Sequence, residues 1–280
     1  MGSGNLLIFS AVTRAGDPVA AISLKYKPLF RNSLEIGSLS VNPAYQGYRI
    51  GESMTRHAVS EAEKLGTGLL YASVVTFNPV AIGIFEGLGF SPTGLLPAYA
   101  DREKHMGQLG LLSRKHSFAI YLKKTGPCID APPRVYVPSC ISKIIEGLYG
   151  NLGISPVIVG SIGEVPATSG FDLIDDDYHK TTHVYLWECG SDLHREMEAL
   201  EQGRKHPIRT IIVYLNVNSP AANAGYGTLK DMGYRFFGLM PLCGQNEFVV
   251  MAKTSAPVDY SEIKATACLA SVLEKMELYG

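Results

Sequence analysis

Val41-Asn42-Pro43-Ala44-Tyr45-Gln46-Gly47-Tyr48-Arg49-Ile50-Gly51-Glu52-Ser53 is the stretch on which the reading of this chain turns. Leu34–Val41 ahead of it is rich in strand formers and is closed by Asn42-Pro43. Behind it Ile50, Met54, Ala58, Ala62 and Leu65 recur at three or four residues, the period of an amphipathic helix, and Gly66 supplies a stop. A strand therefore runs through a glycine-containing turn into a helix. Such a turn leaves several backbone N–H groups unpaired at the positive end of the helix dipole, an anion site suited to a pyrophosphate. An ordinary tight strand–helix turn has the same composition, so the loop alone leaves both readings open.

On the N-terminal side, Leu6–Thr13 and Pro18–Tyr26 read as strands joined by a hairpin turn at Arg14–Asp17. On the C-terminal side, Leu69–Val75 reads as a buried strand. Asn78-Pro79 then offers an N-cap and a first-turn proline to a helix with Val80, Ala81, Ile84, Phe85 and Leu88 on one face, ending at Gly89. Ser117–Lys123 reads as a last strand, and the charged stretch Ala98–Lys115 as a mobile loop. Residues 125–133, with three prolines, have linker composition. Beyond them strands are expected at Arg134–Val137, Val157–Gly160, His183–Trp187, Thr210–Leu215, Phe236–Met240 and Phe248–Met251. Helices are expected at Ile141–Leu152, Asp192–Gln202, Ala221–Met232 and Ser261–Leu278. Asp175–Asp177 reads as a solvated acidic turn, and Asp259-Tyr260-Ser261-Glu262 as a capping box.

The two halves repeat each other. Asn78-Pro79-Val80-Ala81 matches Ser219-Pro220-Ala221-Ala222, Gly89-Phe90 matches Gly233-Tyr234, and Gly94-Leu95-Leu96-Pro97 matches Gly238-Leu239-Met240-Pro241. Three collinear matches indicate duplication of a unit of about 130 residues.

The loop Gln46–Gly51, together with Asn78–Phe90 one strand later, resembles the GNAT (Gcn5-related N-acetyltransferase) superfamily over roughly residues 6–124. The loop is similar to that family's pyrophosphate motif, Arg/Gln-x-x-Gly-x-Gly/Ala. The Asn78 helix is similar to its second signature, Asn-x-x-Ala followed by an aromatic, Gly and Phe. The resemblance implies an α/β (α+β) chain of two tandem GNAT-like domains, residues 1–125 and 133–280. Each is a bent mixed sheet flanked by helices, with an extra C-terminal helix at the end. It also implies acetyl-CoA as co-substrate and transfer of the acetyl group to an amine, on a small molecule or a protein.

In that reading Gln46, Gly47, Tyr48, Arg49, Ile50, Gly51, Glu52 and Ser53 form the pyrophosphate loop and first helical turn. Leu39, Ser40 and Val41 pair with the pantetheine amides through their backbones, and Asn78 hydrogen-bonds the cofactor arm near the thioester. Arg49 stands where the motif has its first glycine, which costs strain if that position needs unusual backbone angles. Phe85, on the same helix, stands where the family often has a tyrosine acid; phenylalanine has no proton to give, and core packing is its ordinary role. Gly37 stands at the commonest position for a basic glutamate. Glu35, two residues earlier on the same strand face, is the candidate base.

The second half is expected to be degenerate: His183–Trp187 passes almost directly into a helix, and Ser219 replaces the asparagine. Only about five residues precede the first hairpin strand of the first half, so the strand and helices that begin the family fold are missing there. Either the chain is a fragment of a longer protein or the acceptor wall comes from the other half. A non-catalytic module that senses acyl-CoA or docks proteins is the competing reading. The apolar stripe Ile263, Ala267, Ala270, Leu273 and Met276 requires a cover: its own sheet, the other domain, or a second copy in a homodimer.

Charge and composition narrow the partners. Of the 280 residues, 46% are hydrophobic and 18% charged, and the net charge is −1, which argues against nucleic acid as a partner. Residues 1–125 hold 13 Lys and Arg against 8 Asp and Glu, a weak bias towards an anionic ligand. No apolar run reaches the ~18 residues of a membrane span, and no signal peptide or myristoylation pattern opens the chain. Five scattered cysteines without a Cys-x-x-Cys pair suit a reducing cytoplasm, and no histidine spacing suits a metal.

Overall fold

A computed structural model describes residues 6–27, 30, 32–100, 115–126, 132–161, 163–203, 210–241, 246–255, 258 and 260–277. The centres of the expected loop at 98–115 and linker at 125–133 lie outside these residues, as do Asp259 of the expected capping box and Leu278.

The first half runs β1 (Leu6–Val12), β2 (Pro18–Tyr26), β3 (Ser33–Val41), α1 (Ile50–Lys64), β4 (Leu69–Val75), α2 (Pro79–Gly87), β5 (Ser91–Ala100) and β6 (His116–Lys124). The second runs β7 (Arg134–Tyr136), α3 (Ser139–Gly150), β8 (Val157–Val159), β9 (Gly170–Asp176), β10 (Thr181–Glu188), α4 (Leu193–Gly203), β11 (Thr210–Asn216), α5 (Ala222–Asp231), β12 (Arg235–Pro241) and β13 (Glu247–Thr254). Helix α6 (Ala267–Glu277) follows. Two strands went unread in the sequence. In β5, Pro92 and Pro97 interrupt any alternation. In β9, Leu173, Ile174 and Asp175 are all exposed, so no hydrophobic face marks it. Asp175 and Asp176 therefore end a strand instead of forming a turn.

Eleven strands form one mixed sheet in the order β1-β2-β3-β4-β6-β5-β12-β13-β11-β10-β9, flanked by helices. From β2 to β9 the order is a palindrome about the β5–β12 junction. The repeated glycines meet at that junction, where Gly94 of β5 pairs with Gly238 of β12. Each sits at a register shift against its own partner strand, Pro92/Gly94 in β5 and Phe236/Gly238 in β12. A Cβ on Gly238 would lie 2.4 Å from Gly94 Cα and 2.4 Å from Thr93 O, and its φ of +126° is open essentially to glycine alone. Gly89 and Gly233, the other repeated pair, end α2 and α5 with φ of +80° and +88°.

Helix α1 buries Met54, Ala58, Val59 and Ala62 towards β2 and β3. Helix α6 lies over β5 and β12, so it covers the junction of the two halves. It begins later than the sequence suggests: the Thr266 hydroxyl accepts from Leu269 N–H (3.3 Å) and caps it. Its buried stripe is Leu269, Val272, Leu273 and Met276, rotated from the expected one because Ile263 precedes the helix.

The other sheet face curls on itself. Tyr71 of β4 and Tyr214 of β11 are five strand positions apart, about 24 Å in a flat sheet. Yet the Phe30 ring lies 5.6 Å from Tyr71, 5.8 Å from Tyr185 of β10 and 6.5 Å from Tyr214. His183, against the Tyr214 ring and hydroxyl (Oη to Nδ1 3.3 Å), is buried there.

Two outcomes test this architecture. Gly238→Ala should lower the free energy of unfolding by about 3–5 kcal/mol in chemical denaturation, while Gly83→Ala, with open space around its Cβ, should not. Burial first, then the charge of Lys27, pushes the His183 imidazole down to about 4. The unfolded chain then takes up a proton below pH ~6.5 that the folded chain refuses until about 4, so stability falls as pH falls through that window. Between pH 7 and 5 this single site should cost about 2 kcal/mol, and His183→Gln should flatten that part of the pH profile.

Candidate active site

Strand β3 makes a parallel pairing with β4 over three residues only: Ser33 with Leu69, Leu34 with Leu70, and Glu35 with Tyr71. Beyond Glu35 the two strands part. The parting coincides with a bulge, because the β2–β3 register slips between Ala21 and Ser23 and Ser38 adopts a left-handed φ of 56°. The open edge of Leu39–Val41 then faces a cleft of about 900 Å³.

The loop after β3 is held by local bonds. Asn42 Oδ1 accepts from Ala44 N–H (3.0 Å) and caps the single 3-10 turn Pro43–Tyr45. Gln46 Nε2 donates to Val41 O (3.3 Å). Gly47 has φ of +86°, and Arg49, the N-cap of α1, has φ 58° and ψ 20°. A left-handed non-glycine residue costs roughly 1–3 kcal/mol, so the strain feared from the sequence is present at Arg49. No side chain caps α1, whose first N–H groups are left for another acceptor. A Cβ on Gly51 would touch Ile84, Leu39 and Val41 at 3.6 Å, which brings α1, α2 and β3 together at the cleft floor.

Of the residues singled out from sequence, Leu39, Ser40, Val41, Gln46, Gly47, Arg49, Ile50, Gly51, Glu52 and Asn78 line this one cleft. Tyr48 projects outward, 75% exposed, and Ser53 lies on the outer face of α1. Asn78 Oδ1 accepts from Ala81 N–H (3.1 Å) to cap α2, which leaves its NH2 group without a partner among the described residues. Phe85 is in the core, edge-on to Phe90 at 5.1 Å.

Glu35 lies where the two strands separate. Its side chain is 15% exposed, pairs with Lys27 Nζ at 2.9 Å and accepts from Tyr71 Oη at 3.5 Å. Its Oε1 is 3.7 Å from where a Cβ of Gly37 would stand, so the carboxylate reaches the space that Gly37 leaves open. The charge of Glu35 raises the hydroxyls of Tyr71 and Tyr99, and those of Tyr185 and Tyr214 from the other half, in each case after burial itself. The sequence did not single out these four: Tyr99 fell at the edge of an expected loop, and the others fell within expected strands.

The corresponding groove in the second half is shut. Strands β10 and β11 pair over six residues, Thr181–Leu186 with Thr210–Leu215, and do not part. Ser219, the counterpart of Asn78, donates to Glu188 Oε1 at 2.6 Å. The chain's own segment lies across the turn before α4: Ser191 N–H donates to Pro166 O and Gly190 N–H to Ser169 Oγ. A Cβ on Gly190 would lie 2.2 Å from Thr168.

Residues 3–90 match the model of the acetyltransferase (GNAT) family. The ribosomal protein bS18-alanine N-acetyltransferase of Escherichia coli is 35% identical over 54 residues, 19% of this chain and 36% of that protein. This chain thus spans about a third of the length of that relative. A putative phosphinothricin acetyltransferase of Bacillus subtilis is 26% identical over 113 residues, 39% of this chain and 69% of that one. Among solved structures, the Escherichia coli ribosomal-protein-S18-alanine N-acetyltransferase superposes with a TM-score of 0.37 and 21% identity, over 45% of this chain and 72% of that one. The residues that hold the strand, the loop and the Asn78 helix thus fall within the segment that is similar to the acetyltransferase (GNAT) family.

Proposed function

We propose that the first half binds acetyl-CoA in the cleft beside β3 and transfers its acetyl group to an amine. The observation that carries this is the parting of β3 from β4 after three paired residues, directly above a loop of unpaired amides. Strands β10 and β11, the mirror-image pair in the sheet, stay paired over six residues and do not part. In this reading residues 1–125 and 133–280 are two domains, and only the first keeps a cofactor groove.

Each group then has a task. The N–H groups of Gly47–Gly51 meet the pyrophosphate at the α1 N-terminus, and the exposed Arg49 guanidinium adds a phosphate contact. The backbone of Leu39–Val41, with no β4 partner, pairs with the pantetheine amides as a third strand would. The free NH2 of Asn78 donates to the same arm. Glu35, ion-paired to Lys27, takes the proton from the attacking amine. The N–C bond forms as the C–S bond breaks, and the thiolate leaves with a proton from solvent.

The three described cysteines are unbridged, and no helix among the described residues is long and apolar enough to cross a membrane. Both features fit our placement of the chain in a reducing cytoplasm. Phe85 favours a second reading, in which the cleft binds acyl-CoA without turnover, since no acid stands at that position.

Calorimetric titration with acetyl-CoA, followed by thiol-release assays over a panel of amines, separates the two. Saturable binding with amine-dependent thiol release is expected; binding without release on any amine assigns the sensor. Tyr48→Pro removes one loop donor and should weaken acetyl-CoA binding about tenfold or more, the worth of a charge-assisted hydrogen bond. Unchanged affinity in a folded Tyr48→Pro variant removes the loop from the site.

A further inference from the structure

The sheet face turned away from α1 carries a charge that nothing beside it balances. Ile22, Leu24 and Ile36 are buried on the α1 face with Phe9, whose ring meets His57 of α1 at 5.0 Å. The alternate residues point the other way. Across β1 to β4 these are Leu6, Lys25, Glu35 and Tyr71 in one row, and Ile8, Ser23 and Gly37 in the next. Past the bulge at Ser38 the alternation reverses, so Leu39 and Val41 meet Gly51 of α1 from the helix side. The parting of β3 from β4 therefore lies between the cleft, on the helix side, and Glu35 and Gly37 on the other.

A Cβ on Gly37 would lie 3.6 Å from Lys25 Nζ and 3.7 Å from Glu35 Oε1, with no other atom beyond its chain neighbours within 4 Å. The ammonium and the carboxylate thus converge on one open point and stand at most about 7 Å apart, a span that one small molecule bridges with a hydrogen bond at each end. Glu35 is already ion-paired to Lys27 at 2.9 Å. Lys25 has no hydrogen-bond or ion-pair partner among the described residues, so two ammonium groups stand beside one carboxylate and a positive charge is left over. Lys25 is half-buried, and Leu6 and Ile8 on the same face are 48% and 63% exposed. A half-buried ammonium without an acceptor favours an anion, and bare aliphatic surface beside it favours an apolar group.

Resting on the acetyl-transfer reading above, we infer that the acceptor is a free α-amino acid with an apolar side chain, and that Lys25 selects it. Its amine meets Glu35 over Gly37, where β3 and β4 part. Its carboxylate pairs with Lys25, and its side chain lies on Leu6 and Ile8. A side chain at position 37 would fill the point where the two charged groups converge, so the glycine leaves room for the acceptor. An amine and a carboxylate on one carbon match the separation of Glu35 and Lys25, whereas a plain alkylamine leaves the Lys25 ammonium unpaired. Transfer to such an acceptor yields an N-acetyl amino acid and the free thiol of the cofactor.

The full chain is assayed by thiol release with L-leucine and with 3-methylbutylamine, which is leucine without its carboxylate. The ratio of kcat/KM for leucine to that for the amine should fall at least tenfold in Lys25→Met and stay within about threefold in Lys25→Arg. Comparing each variant's ratio with the wild-type ratio removes the intrinsic difference in reactivity between the two amines. Calorimetric titration of L-leucine onto the CoA-saturated protein reads the same contact without turnover. Lys25→Met should raise that dissociation constant at least tenfold, and Gly37→Val, which fills the convergence point, should weaken leucine in the same direction. A ratio unchanged in Lys25→Met, a leucine affinity unmoved by both substitutions, or turnover of 3-methylbutylamine with no leucine binding overturns the amino-acid site and leaves acetyl transfer standing. Failure to bind acetyl-CoA at all removes the acetyl-transfer reading, and the acceptor site with it.

Discussion

Two backbones touch where Gly94 meets Gly238, and the rest of the molecule is arranged around that contact. No side chain fits between the strands there: a Cβ on either glycine would fall within 2.7 Å of backbone atoms of the other strand. The single pair turns two half-sheets into one of eleven strands. Its bulges bend both inner strands, so the sheet closes on one face and is covered on the other by α6. Further bonds secure the junction. Thr210 Oγ1 donates to Ala98 O at 2.8 Å, and the buried Lys115 ammonium reaches Lys180 O at 3.2 Å.

The two mirrored arms of the sheet differ at equivalent places in the strand order. Ladder length is the physical difference. Three parallel pairs leave the β3 edge unsatisfied and open; six pairs in β10–β11 use up the groups that a ligand would need. The second half then meets its remaining loop amides internally, through Pro166 and Ser169. A strained Arg49 and uncapped α1 persist in the first half. Strain and an uncapped helix thus lie in the same half as the cleft.

Joining the halves also changes what surrounds Glu35. With the sheet curled, tyrosines from β10 and β11 stand opposite β4, and burial above all raises the titration of their hydroxyls.

The sequence by itself determined the local elements that carry strong periodicity or turn chemistry. The helix at Ile50, the Asn78 cap, the strand Leu69–Val75 and the positive-φ glycines at 89 and 233 were all legible, because each depends on neighbours within a few residues. The cleft loop and most of its lining were legible for the same reason. Strand β9 was not, since its exposed residues have no alternation and only pairing with β10 makes it a strand. Nor was the meaning of the Gly94 and Gly238 repeat, which in the sequence is a match between halves and in the structure is a contact between the two glycines. The tyrosines around Glu35 come from positions up to 179 residues away in the chain. Only tertiary structure decides such contacts, because burial and charge act through space while sequence patterns record only the chain's nearest neighbours.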